Sequence, residues 1–72
     1  AYINCHVKNL GNKTVSWIRA QDVHVLTSGL YTYTSDDRIQ IYHTNNTDLW
    51  VLHIKRVNSL DKGFYECHIS TQ

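Results

Sequence analysis

Two cysteines and five histidines are the residues of this 72-residue chain best suited to chemistry, and their spacing decides which chemistry. Cys5 and Cys67 have 61 residues between them. A zinc half-site or a redox motif brings two thiols to one centre from a single turn, so this spacing fits neither. A long-range disulfide is the better reading. In the chain-entropy account, closing such a loop stabilises by roughly 4 kcal/mol, comparable with the whole net stability of a small domain. The bond persists only in an oxidising compartment, and it removes thiolate chemistry. The histidines read as solvated surface residues. His6 and His53 fall outward on strands expected to be neighbours, where they could approach each other, but no further ligand completes a metal site. The sequence has no nucleophile elbow, phosphate-cradling glycine loop or H-E-x-x-H. No catalytic residue, metal or cofactor is therefore assigned, and an enzyme is not expected.

Asn12-Lys13-Thr14 and Asn45-Asn46-Thr47 fit N-x-T without proline, in polar, turn-like stretches. Asn12 and Asn45 are thus glycosylation candidates, which agrees with the oxidising compartment implied by the cysteines. Seven basic and six acidic residues leave a net charge of +1. That is too little for phosphate neutralisation or a polybasic membrane patch, so no nucleic-acid partner is expected. No run of eighteen apolar residues or signal peptide is visible, and any membrane link is expected through a tether outside these residues.

The elements that must position these residues have period two. Ile3, Cys5 and Val7 alternate with Asn4 and His6; Val15 and Trp17 with Ser16; Ile39 and Ile41 with Gln40. Trp50, Leu52 and Ile54 alternate with polar His53 among them, and Tyr65, Cys67 and Ile69 with Glu66, His68 and Ser70. Each run reads as a half-buried antiparallel strand, and polar clusters separate them. Short strands at this spacing with no helix between them predict a β-sandwich.

A cysteine, a tryptophan twelve residues later and a second late cysteine form the Cys…Trp…Cys pattern of the immunoglobulin fold. The disulfide would pin the two facing sheets, with Trp17 packed against the sulfurs. Around Cys67 the chain reads Asp61-Lys62-Gly63-Phe64-Tyr65-Glu66-Cys67, the D-x-G-x-Y-x-C signature. Tyr65 suits the tyrosine corner, whose hydroxyl bonds back to upstream backbone. The strands then run B (1–7), C (13–19), C′ (23–27), C″ (30–34), D (38–43), E (48–55) and F (64–71). The 49 residues between Trp17 and Cys67 leave room for C′ and C″, which makes the domain variable-type. In that type Arg38 commonly pairs with Asp61 beneath the sandwich.

Alternation also sorts each strand into core and exposed sets. With Trp17 and Cys67 inward, Ser16, Ile18, Glu66, His68 and Ser70 point out from one sheet. If Leu26 is inward, Val23 and Val25 join them, and Leu30, Tyr31 and Tyr33 extend the face at its edge. An apolar centre with tyrosine anchors and a polar rim is the anatomy of a protein interface. A structural spacer, or an immunoglobulin module for another ligand, is the alternative. A spacer would carry a polar, glycan-covered face here, whereas both sequons lie elsewhere.

The stretch from Val7 to Arg19, with its Asn12-Lys13-Thr14-Val15-Ser16-Trp17-Ile18-Arg19 block, closely resembles the first Ig domain of the Dpr proteins. So do His24 to Gly29, Tyr31-Thr32-Tyr33-Thr34-Ser35-Asp36-Asp37-Arg38 and Tyr65 to Thr71. The Dpr family comprises insect neuronal cell-surface receptors, and the resemblance covers nearly the whole chain. It implies an extracellular domain, tethered to the neuronal plasma membrane, that binds the first Ig domain of a Dpr-interacting protein (DIP), with weak homodimerisation as an accompaniment. The implied contact surface coincides with the face derived above: Ile18, Val23, Val25, Leu30, Tyr31 and Tyr33 as apolar centre, and His24, Glu66, His68, Ser70 and Gln72 as polar selectors.

Measured against the roughly hundred residues of a variable-type domain, residues 1–72 are expected to be a partial one, with strands B to F present and A and G missing. Open sheet edges should then leave the 72-residue chain poorly folded when made alone. A cooperative thermal melt of that chain would contradict this expectation.

Overall fold

The computed structural model describes residues 1–70. Seven strands form: β1 (Tyr2–His6), β2 (Thr14–Arg19), β3 (His24–Ser28), β4 (Tyr31–Thr32), β5 (Ile39–His43), β6 (Leu49–Ile54) and β7 (Tyr65–Ser70). They correspond in order to the expected B, C, C′, C″, D, E and F. A single 3-10 turn, Ser59–Asp61, precedes β7. One sheet has the order β1-β6-β5 and the other β4-β3-β2-β7, with every pairing antiparallel. C″ is shorter than expected, two residues rather than five. The next residues turn away because the Tyr33 and Thr34 amides both donate to the Leu26 carbonyl, at 2.9 and 3.4 Å.

The inner faces meet in two adjoining clusters. Trp17, Leu26, Ile39, Leu52 and Ile54 form one; Val7, Val15 and Trp50 form the other. The Cys5–Cys67 disulfide, with a Cα separation of 6.4 Å, borders both. Residue types explain the layout: β-branched and aromatic side chains fit a pleated surface with one buried side, and they recur at alternate positions. Ile69 departs from that alternation. It was expected inward, yet it is half exposed near the end of β7.

One β-bulge decides the register of β3. Trp17 pairs with Thr27 and Ile18 with Val25, so Leu26 is the extra residue between them. As a result Leu26 and Thr27, neighbours in sequence, are both fully buried. The buried hydroxyl has a partner: the Trp17 amide donates to Thr27 Oγ1 at 3.2 Å.

The histidines also part from expectation. His6 stands opposite Leu49 and His53 opposite Tyr2, four positions apart along the pair, or roughly 14 Å at strand rise. They therefore do not approach each other. His43 is no solvated residue either. It lies opposite Trp50, stacked on its ring at 3.8 Å, with Nδ1 donating to the Leu49 carbonyl at 2.9 Å.

The β1–β2 and β5–β6 turns fall at one end of the sandwich, and an ionic cluster closes the other. There Arg38 donates twice to Asp61, at 2.8 and 2.9 Å, and twice to Asp36, at 3.1 and 2.9 Å. Such forked bonds use the planar geometry of guanidinium. Asp61 Oδ2 also accepts from the Asn58 amide, while the Asp61 carbonyl accepts from the Tyr65 hydroxyl at 2.6 Å. The expected Arg38–Asp61 pair and tyrosine corner are thus one connected network. Gly63 is required beside it: its φ is 133°, and a Cβ there would stand 2.7 Å from Gln21 Oε1. At the same end Arg19 holds Asp22 through two bonds, at 3.0 and 2.9 Å. The turn between β2 and β3 then places Val23, a β-branched residue, at φ 51°.

Two predictions follow from this end. Hydrogen bonds from Arg38 hold the carboxyls of Asp61 and Asp36 below the usual range, the Asn58 amide adding to the effect at Asp61. With folded values below the unfolded one of about 3.9, their stabilisation is present above that pH and lost as pH falls below it. Urea midpoints should therefore drop below about pH 4, and Asp61→Asn should lower the neutral-pH midpoint and flatten the drop. An unchanged profile in the variant would remove the network from the pH response. For Val23, the left-handed conformation costs about 1–2 kcal/mol, whereas glycine's extra chain entropy costs about 0.5–1 kcal/mol. Val23→Gly should stabilise by about 0.5–1 kcal/mol in a denaturant melt.

Candidate protein-binding face

The outer surface of the four-stranded sheet is ordered in cross-strand rows. Pairings of Ser28 with Tyr31, Ser16 with Ser28, and Ser16 with His68 align Tyr31, Ser28, Ser16 and His68 across β4, β3, β2 and β7. A second row carries Val25, Ile18 and Glu66. Beyond the first row, Thr14 pairs with Ser70. Two small serines at the centre, with large side chains to either side, produce a shallow saddle that a convex partner can fill.

The bulge is what aims this face. Because the extra residue is absorbed inward at Leu26, Val25 returns to the outer side opposite Ile18, and Val25 is 38% exposed. Without it, strict alternation from Thr27 would turn Val25 toward the core. Tyr31 and Tyr33 are 77% and 70% exposed at the β4 edge. Leu30 is exposed in the tight turn after Gly29, whose φ of 58° allows the reversal. On the opposite flank Glu66 and His68 are joined, Oε1 to Nε2, at 2.7 Å. Both side chains are half exposed, so they form a polar rim whose hydrogen-bonding capacity a partner can use.

The expected contact residues are not equally placed. Ile18, Val25, Tyr31, Glu66, His68 and Ser70 share the outer parity of the sheet, and Tyr33, just past the end of β4, is exposed beside them. Val23 projects from the turn at the lower end, 78% exposed. His24 pairs with Arg19, the opposite parity from Ile18 and Val25, and is exposed at that end of the sheet. Gln72 lies outside the described residues. Ser16 and Ser28, which alternation alone ranks as unremarkable polar positions, become the floor of the saddle. Only strand pairing reveals that role.

Asn12 and Asn45 are exposed in the β1–β2 and β5–β6 turns, at the end opposite the Arg38 network. Among the described residues, no group of three or more histidine, cysteine, aspartate or glutamate side chains is arranged to hold a metal ion. No helix among the described residues is long and apolar enough to cross a membrane.

The geometry agrees with what the chain is similar to. The zig-8 two-Ig-domain protein of Caenorhabditis elegans is 34% identical over 70 residues, which make up 97% of this chain and 26% of that protein. The crystal structure of Dpr1 IG1 bound to DIP-eta IG1 matches with a TM-score of 0.95 at 46% identity, covering 99% of this chain and 67% of that one. Dpr2 Ig1-Ig2 in complex with DIP-Theta Ig1-Ig3 matches with a TM-score of 0.92 at 51% identity, covering 96% of this chain and 32% of that one. The chain therefore spans about a quarter to a third of the longer relatives it resembles. The immunoglobulin domain family matches residues 1–72. With that match, the cross-sheet disulfide and a Dpr first domain that superposes throughout, the chain belongs to the immunoglobulin domain family and, within it, to the Dpr group.

Proposed function

We propose that this domain is a neuronal cell-surface recognition module that binds the first Ig domain of a DIP receptor through the outer face of the β4-β3-β2-β7 sheet. The observation that carries this reading is the saddle itself: half-buried Ile18 and exposed Val25, Tyr31 and Tyr33 around a serine floor, rimmed by Glu66 and His68. A monomeric surface gains nothing by grouping tyrosines and aliphatics on one sheet face, whereas an interface core uses them as anchors. The Dpr1 and Dpr2 relatives were crystallised with DIP partners, which supports assigning the same class of partner here. Synaptic specificity would then arise from residues such as Glu66 and His68. A partner that fails to satisfy them buries unpaired polar groups and is rejected.

The domain acts by contact alone, at the outer surface of the neuronal plasma membrane, and carries out no reaction. A glycan at Asn45 would leave the saddle open, since the β5–β6 turn belongs to the other sheet. A spacer role does not account for the exposed tyrosines.

Ile18→Asp should weaken binding to the cognate DIP ectodomain by roughly a hundredfold or more, because an uncompensated buried charge costs about 3–5 kcal/mol. Tyr33→Asp should weaken it comparably. Neither should shift the thermal melt appreciably, since Ile18 lies on the outer parity of the sheet and Tyr33 is exposed past the end of β4. Biosensor titration over a panel of DIP ectodomains, with the chain itself as an added ligand for self-association, reads both effects. Full binding by both variants would exclude this face.

A further inference from the structure

The other sheet carries a feature that partner binding does not use. Beside the β5–β6 turn lies a groove of about 160 Å³, lined by Tyr42, His43, Thr44, Thr47, Leu49 and Val51. Two of these residues belong to the Asn45 sequon neighbourhood: Thr44 precedes the asparagine and Thr47 is the sequon's threonine. We propose that the groove is the seat of the first N-acetylglucosamine of a glycan on Asn45, making that sugar part of the domain's packed structure.

The covalent step is N-glycosylation from a polyisoprenyl-diphosphate-linked oligosaccharide. Asn45 Nδ2 bonds to C1 of the reducing-end N-acetylglucosamine, the C1–O bond to the diphosphate breaks, the diphosphate leaves with its electron pair and the amide releases one proton. Asn45 is exposed in a turn closed by the Thr47 amide and hydroxyl, which donate to the Thr44 carbonyl at 3.2 and 2.6 Å. The acceptor asparagine is therefore presented on a short, exposed hairpin turn, in sequence between two residues of the groove's lining, Thr44 and Thr47.

The lining suits a pyranose. One face of the sugar is C–H rich and packs on aromatic and aliphatic surface, and its hydroxyl and acetamido groups need polar partners at the edge. Leu49, Val51 and the Tyr42 ring supply the first; Thr44 and Thr47 supply the second. The walls are fixed before any sugar arrives. His43 is stacked on Trp50 and bonded to the Leu49 carbonyl, and the Tyr42 hydroxyl is bonded to Gln40 Oε1, with its ring 6.0 Å from His53. Preorganised walls reduce the ordering cost of the guest, and the covalent tether keeps its local concentration high. Asn12 differs: its neighbours Gly11 and Lys13 are exposed, and a Cβ on Gly11 would meet nothing within 4 Å. A glycan there would project into solvent.

The test uses the secreted protein carrying this domain, expressed in glycosylating cells, with occupancy at Asn45 read by peptide mass spectrometry. The occupied protein should melt a few degrees above N45Q, and trimming the glycan to one N-acetylglucosamine should keep that difference. N12Q should leave the melt unchanged. In a Y42A background the gain from Asn45 occupancy should disappear. Isotope-filtered NMR of the trimmed protein should give NOEs from the sugar to Tyr42, Leu49 or Val51, and this measurement decides alone if Y42A fails to fold. An unoccupied Asn45, equal melts with and without its sugar, or a sugar with no NOE to the groove overturns the proposal. DIP binding enters none of these readouts, so their failure and that of the partner assignment are separable.

Discussion

Everything in this domain is hung on one cross-link between two sheets that share no backbone hydrogen bonds. β1 belongs to the three-stranded sheet and β7 to the four-stranded one, and Cys5 and Cys67 bridge them with 62 positions of sequence separation. Trp17 packs beside the bridge, and the two apolar clusters meet at it. Packing stabilises the folded chain, and the closed loop restricts the unfolded one. A core of eight buried hydrophobic residues among the described ones depends on both. The requirement for an oxidising environment is therefore built into the fold, and it places the domain outside the cytosol for physical reasons.

With the centre pinned, the two ends and two faces of the sandwich take on separate tasks. The lower end is polar and closed, with Arg38 shared between two carboxylates and tied to the tyrosine corner through Asp61. The opposite end carries the sequon turns. The outer face of β4-β3-β2-β7 is a saddle of mixed apolar and polar groups, whereas the other sheet carries an aromatic stack, with Tyr2 over His53 at 4.1 Å and Tyr42 nearby. Burial there holds the His53 imidazole below its ordinary value, so that it behaves as a flat neutral ring within an aromatic layer.

Much of this was legible in the residues. Cys5, Trp17, Tyr65 and Cys67 define the sandwich because each has one workable position in it, and the Arg38–Asp61 pair follows from what is common in the variable type. Strand membership followed from alternation, and so did the outward placement of Ile18, Glu66 and His68. What alternation misses is a change of phase. A bulge adds one residue without altering composition, so the burial of both Leu26 and Thr27 had no signal in a period-two reading. His43 was misjudged for a different reason. Its stacking on Trp50 is set by cross-strand register, which polar residue type conceals. Ile69 shows the converse, an apolar residue of inward parity that is half exposed because burial tapers toward the end of β7.

The bulge also ties stability to the shape of the proposed face. Thr27 is tolerated in the core because its hydroxyl accepts the Trp17 amide, the ladder donor that the bulge would otherwise leave unpaired. The same insertion turns Val25 outward, opposite Ile18, and its carbonyl at Leu26 draws in the Tyr33 and Thr34 amides that end β4. One irregularity thus satisfies a buried donor, sets the apolar centre of the face and positions its edge tyrosine. A variant that removed it by shortening β3 would have to shift Val25, Leu26 and Thr27 together, so the face cannot be retuned at this point without repacking Trp17. On the proposed function, variation is cheaper at Glu66, His68 and Tyr31, whose side chains are exposed and whose backbones are not bonded to the bulge residue. Selectivity is therefore expected to reside at the rim and edge of the saddle, with the centre held constant by the core beneath it.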